Sequence, residues 1–187
     1  MSKANRSNAK AGPASARRRG VRAVLTVSLA TLACLGPLSP AQAQEATFTT
    51  RSLTVETALR AAQAALASCR KAGYQVGVAV TDRSGVLQVY LRDRFAGAHT
   101  VEVAARKAWT AASFRITTTA LGVETQAGRP MSGLRQSPGI LAIGGGLPIE
   151  AAGAVIAAIG VSGAPGGEAD DACAKAGIDA IQMDIEL

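Results

Sequence analysis

From Thr54 onward apolar side chains recur at every third or fourth residue, at Val55, Ala58, Leu59, Ala62, Ala65, Leu66 and Cys69. That spacing puts one buried stripe on a helix, and Gly73 stands where the helix should stop. The period then changes. Val76, Val78 and Val80 alternate with their neighbours, Asp82-Arg83-Ser84-Gly85 reads as a turn, and Leu87, Val89 and Leu91 alternate again. Two alternating runs about a turn predict a β-hairpin. A loop from Asp93 to Ala98 leads to a second helix with Thr100 as the expected N-cap and a stripe of Val101, Ala104, Ala105, Ala108, Ala111 and Ala112. A break near Arg115 to Thr118 precedes a shorter helix to about Ala127, and residues 128–139 form a polar loop. Strands are expected near residues 140–143, 147–150 and 154–161. The last helical region starts near Glu168 and is expected to be interrupted at Gly177.

The run from Gly144 to Gly163 has Glu150 as its only ionisable side chain. Its glycines and Pro148 argue against a membrane helix and for short buried strands joined by tight turns. The order α-β-β-α-α-β-β-β-α, without internal repeats, suggests an α+β sandwich around an antiparallel sheet.

The formal charge of +7 comes entirely from the N-terminal leader. Seven of the 20 basic residues precede Glu45, and the other 13 balance the 13 acidic residues, all of which lie at Glu45 or later. Arg17-Arg18-Arg19, the apolar stretch from Ala23 to Leu35, and Ala41-Gln42-Ala43 read as the basic, hydrophobic and cleavage regions of a secretory signal peptide. A twin-arginine route, or lipid attachment at Cys34, would be a variant of the same export. The expected layout is a signal peptide over 1–43, a flexible lead-in over 44–52, and one domain over 53–187. A neutral mature chain lacks the basic footprint of a nucleic-acid binder. No stable membrane span is expected once the leader is removed, and the protein is expected in the periplasm or outside the cell.

The ordered set of Val80-Thr81-Asp82 with Gly85, Arg94 with Gly97-Ala98, and Ala105-Arg106-Lys107-Ala108 with Thr110-Ala111 and Phe114 resembles the GlcG/HbpS family of small haem-binding-type proteins. The match continues through residues 144–149, residues 160–163, Asp170-Asp171 and Ala176-Gly177. A related domain ends the propanediol-utilisation protein PduO. The resemblance implies a profilin-like sandwich, a five-stranded antiparallel sheet flanked by helices, a homo-oligomer, and haem as a possible cofactor. Two departures, Phe95-Ala96 in the loop after the hairpin and Ile116 where a proline is common, fall near the expected ligand side.

His99 is the only histidine. It is either a surface residue beside a helix start or a haem axial ligand or pocket residue, and no further metal-binding spacing accompanies it. Arg94 is a ligand-side candidate, and Arg106 and Lys107 are candidates to meet ligand carboxylates, although that pair also reads as the solvated face of a helix. Thr110 and Thr117 are further ligand-side candidates. Trp109, off the alanine stripe, reads equally as core or as a pocket or subunit contact. The glycines at 144–146 and 166–167 read as turn devices, since the first run has neither the lysine nor the following helix of a phosphate loop and three carboxylates crowd the second. Asp170 and Asp171 point to different sides of a helix, and no catalytic set emerges.

The expected function is small-ligand binding, most readily of haem or a related tetrapyrrole. The alternatives are a small enzyme or accessory acting on an organic acid or corrinoid, and an oligomeric partner of a membrane sensor. Spacing alone leaves Cys69 and Cys173 open between buried thiols and a bridge. In the sandwich the resemblance implies, the first and last helices pack side by side, and a Cys69–Cys173 disulfide is expected.

Overall fold

The computed structural model describes residues 46–186. The expected signal peptide, with Cys34 and the Ala41-Gln42-Ala43 motif, lies outside the described residues. So do Gln44 and Glu45, the start of the lead-in.

Helix α1 spans Val55–Lys71, and Thr54 caps it by accepting a hydrogen bond from the Thr57 N–H. Strands β1 (Gly77–Asp82) and β2 (Leu87–Arg92) form the hairpin. Helices α2 (Thr100–Phe114) and α3 (Thr118–Glu124) follow, then strands β3 (Gly146–Ala151) and β4 (Ala154–Ser162), helix α4 (Gly167–Asp179) and the single turn α5 (Gln182–Ile185). The sheet is antiparallel throughout, in the order β2-β1-β4-β3. Pro148 lies on the edge strand β3, where a missing ladder donor is tolerated.

The sheet is covered on both sides. Val76, Val78 and Val80, with Ala157, Ile159 and Val161 of β4, belong to the main core with α1 and α4. The alternate positions Ala79 and Ala158 pack against the alanines of α2. Both central strands therefore read as nearly continuous buried runs, as expected for strands covered on two faces.

Small residues set the spacing of the layers. A Cβ on Gly160 would collide with the Ala104 carbonyl of α2, so the helix lies directly on β4. A Cβ on Gly177 would stand 2.6 Å from the Ala61 carbonyl, which brings α4 equally close to α1. Gly160→Ala is accordingly expected to destabilise the domain by about 1–3 kcal/mol, because neither backbone can retreat without opening the core. Urea unfolding that left the midpoint unchanged would show that α2 has room to move.

Five sequence expectations need correction. The described residues contain four strands, not five. Residues 140–143 form no strand, and side chains of α2 hold this segment instead: Thr110 Oγ1 accepts from the Leu141 N–H, and Arg106 donates to the carbonyls of Gly139 and Ile140. His99, not Thr100, occupies the N-cap position of α2; Thr100 is buried in the first turn, and its hydroxyl donates to the Gly97 carbonyl. Gly177 does not interrupt α4, because its bare backbone is the contact with α1. Val55, Leu59 and Val101 are exposed, with Ala61 taking a core place in the α1 stripe. Shorter differences follow the same logic: α3 ends at Glu124, and a 3-10 turn, Ser132–Gln136, occupies the loop after it.

Candidate functional site

Helix α2 organises the site because its consecutive residues look in different directions. His99, Val103 and Lys107 recur at four-residue spacing, and all three line one cleft of about 610 Å³. Arg106, one residue away, faces the other side. The remaining cleft wall comes from Tyr74 and Gln75 after α1, Phe95 of the loop after β2, Ile143, and the backbone from Ser162 to Gly167.

The floor of the cleft is polar and buried. Lys107 Nζ donates to Asp170 Oδ2 at 2.7 Å and to the Val161 carbonyl at 2.9 Å, and both side chains of the ion pair are at least 95% buried. Asp170 Oδ1 accepts from the Ala164 N–H at 3.1 Å. Burial pushes the Asp170 carboxyl above its ordinary range, outweighing the hydrogen bond and charge of Lys107 and the Ala164 N–H that favour ionisation. Asp171 turns the other way, accepting from the Gly145 N–H at 2.5 Å and from Thr119. The two neighbouring aspartates thus tie α4 to separate segments, Asp170 to α2 and Asp171 to the loop before β3 and the first turn of α3.

The mouth differs in chemistry. Phe95 is 78% exposed and Ile143 is 52% exposed. Asp93 anchors the loop that carries Phe95: it is itself buried, pairs with Arg70 Nε at 2.5 Å and accepts from the Val76 N–H. Arg92 also donates to the Ala96 carbonyl. His99 is exposed, and its imidazole has no hydrogen-bond partner among the described residues. Gly97 permits that placement, since a Cβ there would be 2.5 Å from the imidazole Cε1.

Of the residues singled out in the sequence, His99 and Lys107 share this cleft. Lys107 is not on a solvated helix face; the pairing with Asp170 holds it inside. Arg94 is exposed in the adjoining loop but is not part of the wall. Arg106 and Trp109 border a separate apolar pocket of about 310 Å³ with Leu87 and Ala105, and Trp109 remains 38% exposed. Thr110 is buried beneath residue 141. Thr117 caps α3, accepting from the Ala120 N–H. Tyr74, Gln75, Phe95, Val103, Ile143 and Asp170 complete the site without having been singled out as ligand contacts. The four-residue recurrence 99-103-107 was the one sequence signal able to group part of this set.

Cys69 and Cys173 are joined, with Cα atoms 5.5 Å apart across a sequence separation of 104 residues. The bridge fastens α1 to α4 one turn beyond Asp170. Among the described residues no group of three or more His, Cys, Asp or Glu could hold a metal ion, and no helix is long and apolar enough to cross a membrane.

Comparison with known proteins assigns the family. The model of the family described as haem degrading protein HbpS-like matches residues 53–179. A double mutant of HbpS from Streptomyces reticuli is 38% identical with a TM-score of 0.69, the match covering 76% of this chain and 97% of that one. Protein ORFY of Klebsiella pneumoniae is 27% identical with a TM-score of 0.72, over 75% of this chain and 97% of its own. PduOC, solved as a heme complex, is 28% identical with a TM-score of 0.66, over 70% and 95% of the two chains. No curated protein sequence matches. With the family model spanning both the α2 stripe and the α4 turn that close the cleft, the chain belongs to the HbpS-like family.

Proposed function

We propose that this protein binds haem or a related tetrapyrrole in the cleft beside α2, as a secreted or periplasmic binding module. One observation carries the reading: the sole histidine stands at the mouth of the large cleft, its imidazole unengaged among the described residues, beside exposed Phe95 and Ile143. A cavity of about 610 Å³ is within the range of cofactor sites. The group fits the residues present. An unpartnered imidazole suits an iron ligand, apolar side chains suit a macrocycle, and a buried ammonium suits its acidic substituents. Bound haem would supply a redox-active iron; the protein's own contribution is to ligate, orient and partly enclose it. The kinship with PduOC, solved with heme, supports the same ligand. Membership of a family described as haem degrading makes turnover of the bound ligand the natural second assay.

Haem titrated into the purified protein is expected to give a Soret band shifted from that of free haem. His99→Ala is expected to move the band and weaken binding about tenfold or more, the scale of losing one strong ligand contact. An unchanged position and affinity in His99→Ala would move the iron ligand elsewhere, with Thr110 or Thr117 as the next candidates. Absence of any band in both redox states would remove the haem reading.

Export is part of the same proposal, supported by the basic leader, the hydrophobic stretch and the Ala41-Gln42-Ala43 motif. Mass spectrometry of periplasmic or culture material is expected to find a chain beginning at Gln44; an intact Met1 would refute it. The mature domain, residues 53–187, is further proposed to assemble as a homo-oligomer, with exposed Trp109 and Leu87 available for contact.

A further inference from the structure

The cleft is layered: its buried floor is charged, and its exposed mouth carries large apolar side chains beside His99. Lys107 and Asp170 are each 3% exposed and Ser162 is 4% exposed, whereas Phe95 and Ile143 at the mouth are 78% and 52% exposed. A flat amphipathic ligand whose acidic edge reaches the floor exchanges water for the buried Lys107 ammonium, while its apolar body stays between Phe95 and Ile143. The opposite pose would press hydrocarbon onto a buried ion pair and leave the third N–H of Lys107 without an acceptor from the ligand.

Lys107 has the capacity for that contact. An ammonium carries three donors, and Nζ has two acceptors among the described residues, the Val161 carbonyl and Asp170 Oδ2. The third N–H is left for a ligand oxygen. Gly145, at φ +115°, keeps space beside it, for a Cβ there would lie 2.7 Å from Nζ. Gly166 and Gly167, which begin α4, also line the cleft, and Gly166 offers no side-chain cap to the first-turn N–H groups. Asp170 is the neighbour that opposes an incoming anion, and the Lys107 ammonium between them offsets that repulsion. The reach along α2 also constrains the ligand. Eight residues separate His99 from Lys107, about 12 Å along the helix axis, so one molecule meets both only if it has the span of a macrocycle with acidic arms.

Resting on the tetrapyrrole reading above, we infer that the cleft binds its ligand carboxylate edge first, with Lys107 on the buried carboxylate and His99 nearer the mouth. Lys107 is thereby a specificity-determining residue that selects acidic porphyrins over esterified or uncharged ones. Arg94, exposed and outside the wall, has no part in this selection.

The test compares iron protoporphyrin IX with its dimethyl ester, both titrated into the purified full domain and followed by the Soret band. The ester is expected to bind about ten- to a hundredfold more weakly, the loss associated with a charge-assisted hydrogen bond. That difference is expected to persist in Arg94→Ser and to shrink to within about threefold in the charge-balanced Lys107→Met/Asp170→Asn protein. Should the double variant fail to fold, the wild-type and Arg94→Ser titrations still decide the matter. Equal affinities for acid and ester in the wild type overturn the inward orientation while leaving the cleft reading intact. A preference that disappears in Arg94→Ser places the carboxylates at the surface and overturns it as well. Failure of both porphyrins to bind overturns the tetrapyrrole reading itself.

Discussion

Replacing both bridged cysteines, as Cys69→Ala/Cys173→Ala, is expected to lower the stability of the domain by about 2–5 kcal/mol. The bridge spans 104 residues, and in the chain-entropy model a loop of that size restricts the unfolded ensemble strongly. It also stands in an interface that has little else to grip with. Beside the bridge, helices α1 and α4 meet where Gly177 lies against Ala61 and Ala65, small residues that give close approach but limited apolar area. The helices run antiparallel, since Cys173 meets Cys69 while Gly177, one turn later, meets Ala61 and Ala65. Loss of the link should therefore be felt first at α4, and with it at Asp170 and the cleft floor. Urea unfolding of the oxidised, reduced and doubly substituted proteins measures the effect. Thiol counting on denatured, unreduced protein should find none free among residues 46–186. Two free thiols there, or an unfolding midpoint indifferent to reductant, would remove the bridge from the account.

Lys107→Met is expected to have an effect of similar size, about 3–5 kcal/mol, because it strands a buried carboxylate. Asp170 would keep the Ala164 N–H but lose the Lys107 ammonium. The sign with pH follows from the raised Asp170 carboxyl. The folded protein holds this proton above the ordinary value of 3.8, while the unfolded chain releases it. This group's contribution to stability thus declines as pH rises through the interval between 3.8 and the raised value, then levels off once Asp170 is ionised in both states. Lys107→Met removes the attraction that limits the shift, so the decline should continue to higher pH. Asp170→Asn should abolish this component, and Lys107→Met/Asp170→Asn should recover much of the lost stability because no buried charge then remains. Denaturant titrations at several pH values provide the measurement. A Lys107→Met protein within about 1 kcal/mol of wild type across that range would show that water reaches the pair and screens it.

Much of the architecture was written in local patterns. The three-to-four-residue recurrence from Ala58 to Cys69 gives α1, and Thr54 gives its cap. Alternation about Asp82-Arg83-Ser84-Gly85 gives the hairpin, with Asp82 Oδ1 accepting from the N–H groups of Ser84 and Val86. The alanine stripe of α2 announces a helix that must lie close to its neighbour, and Gly160 is the matching gap in β4. The motifs from Val80 to Gly177 indicated the family, and the family model covers the same stretch. These features are legible because each depends on nearest neighbours in sequence or on a repeat along one element.

What the sequence alone could not decide is which polar groups find one another across the fold. Residues 140–143 have the composition of a strand, yet Thr110 and Arg106 supply their hydrogen bonds and no ladder forms. Lys107 has the neighbours of a surface lysine, and only the return of α4 delivers Asp170, 63 positions later, to hold it inside. Asp170 and Asp171 look alike at a helix start until the loops they meet divide their work. The cleft draws on five separate segments and has no local signature beyond the 99-103-107 recurrence. Helical period and turn chemistry act over a few residues and can be read directly. Burying an ion pair requires two distant partners to arrive together, and only the tertiary structure says whether they do.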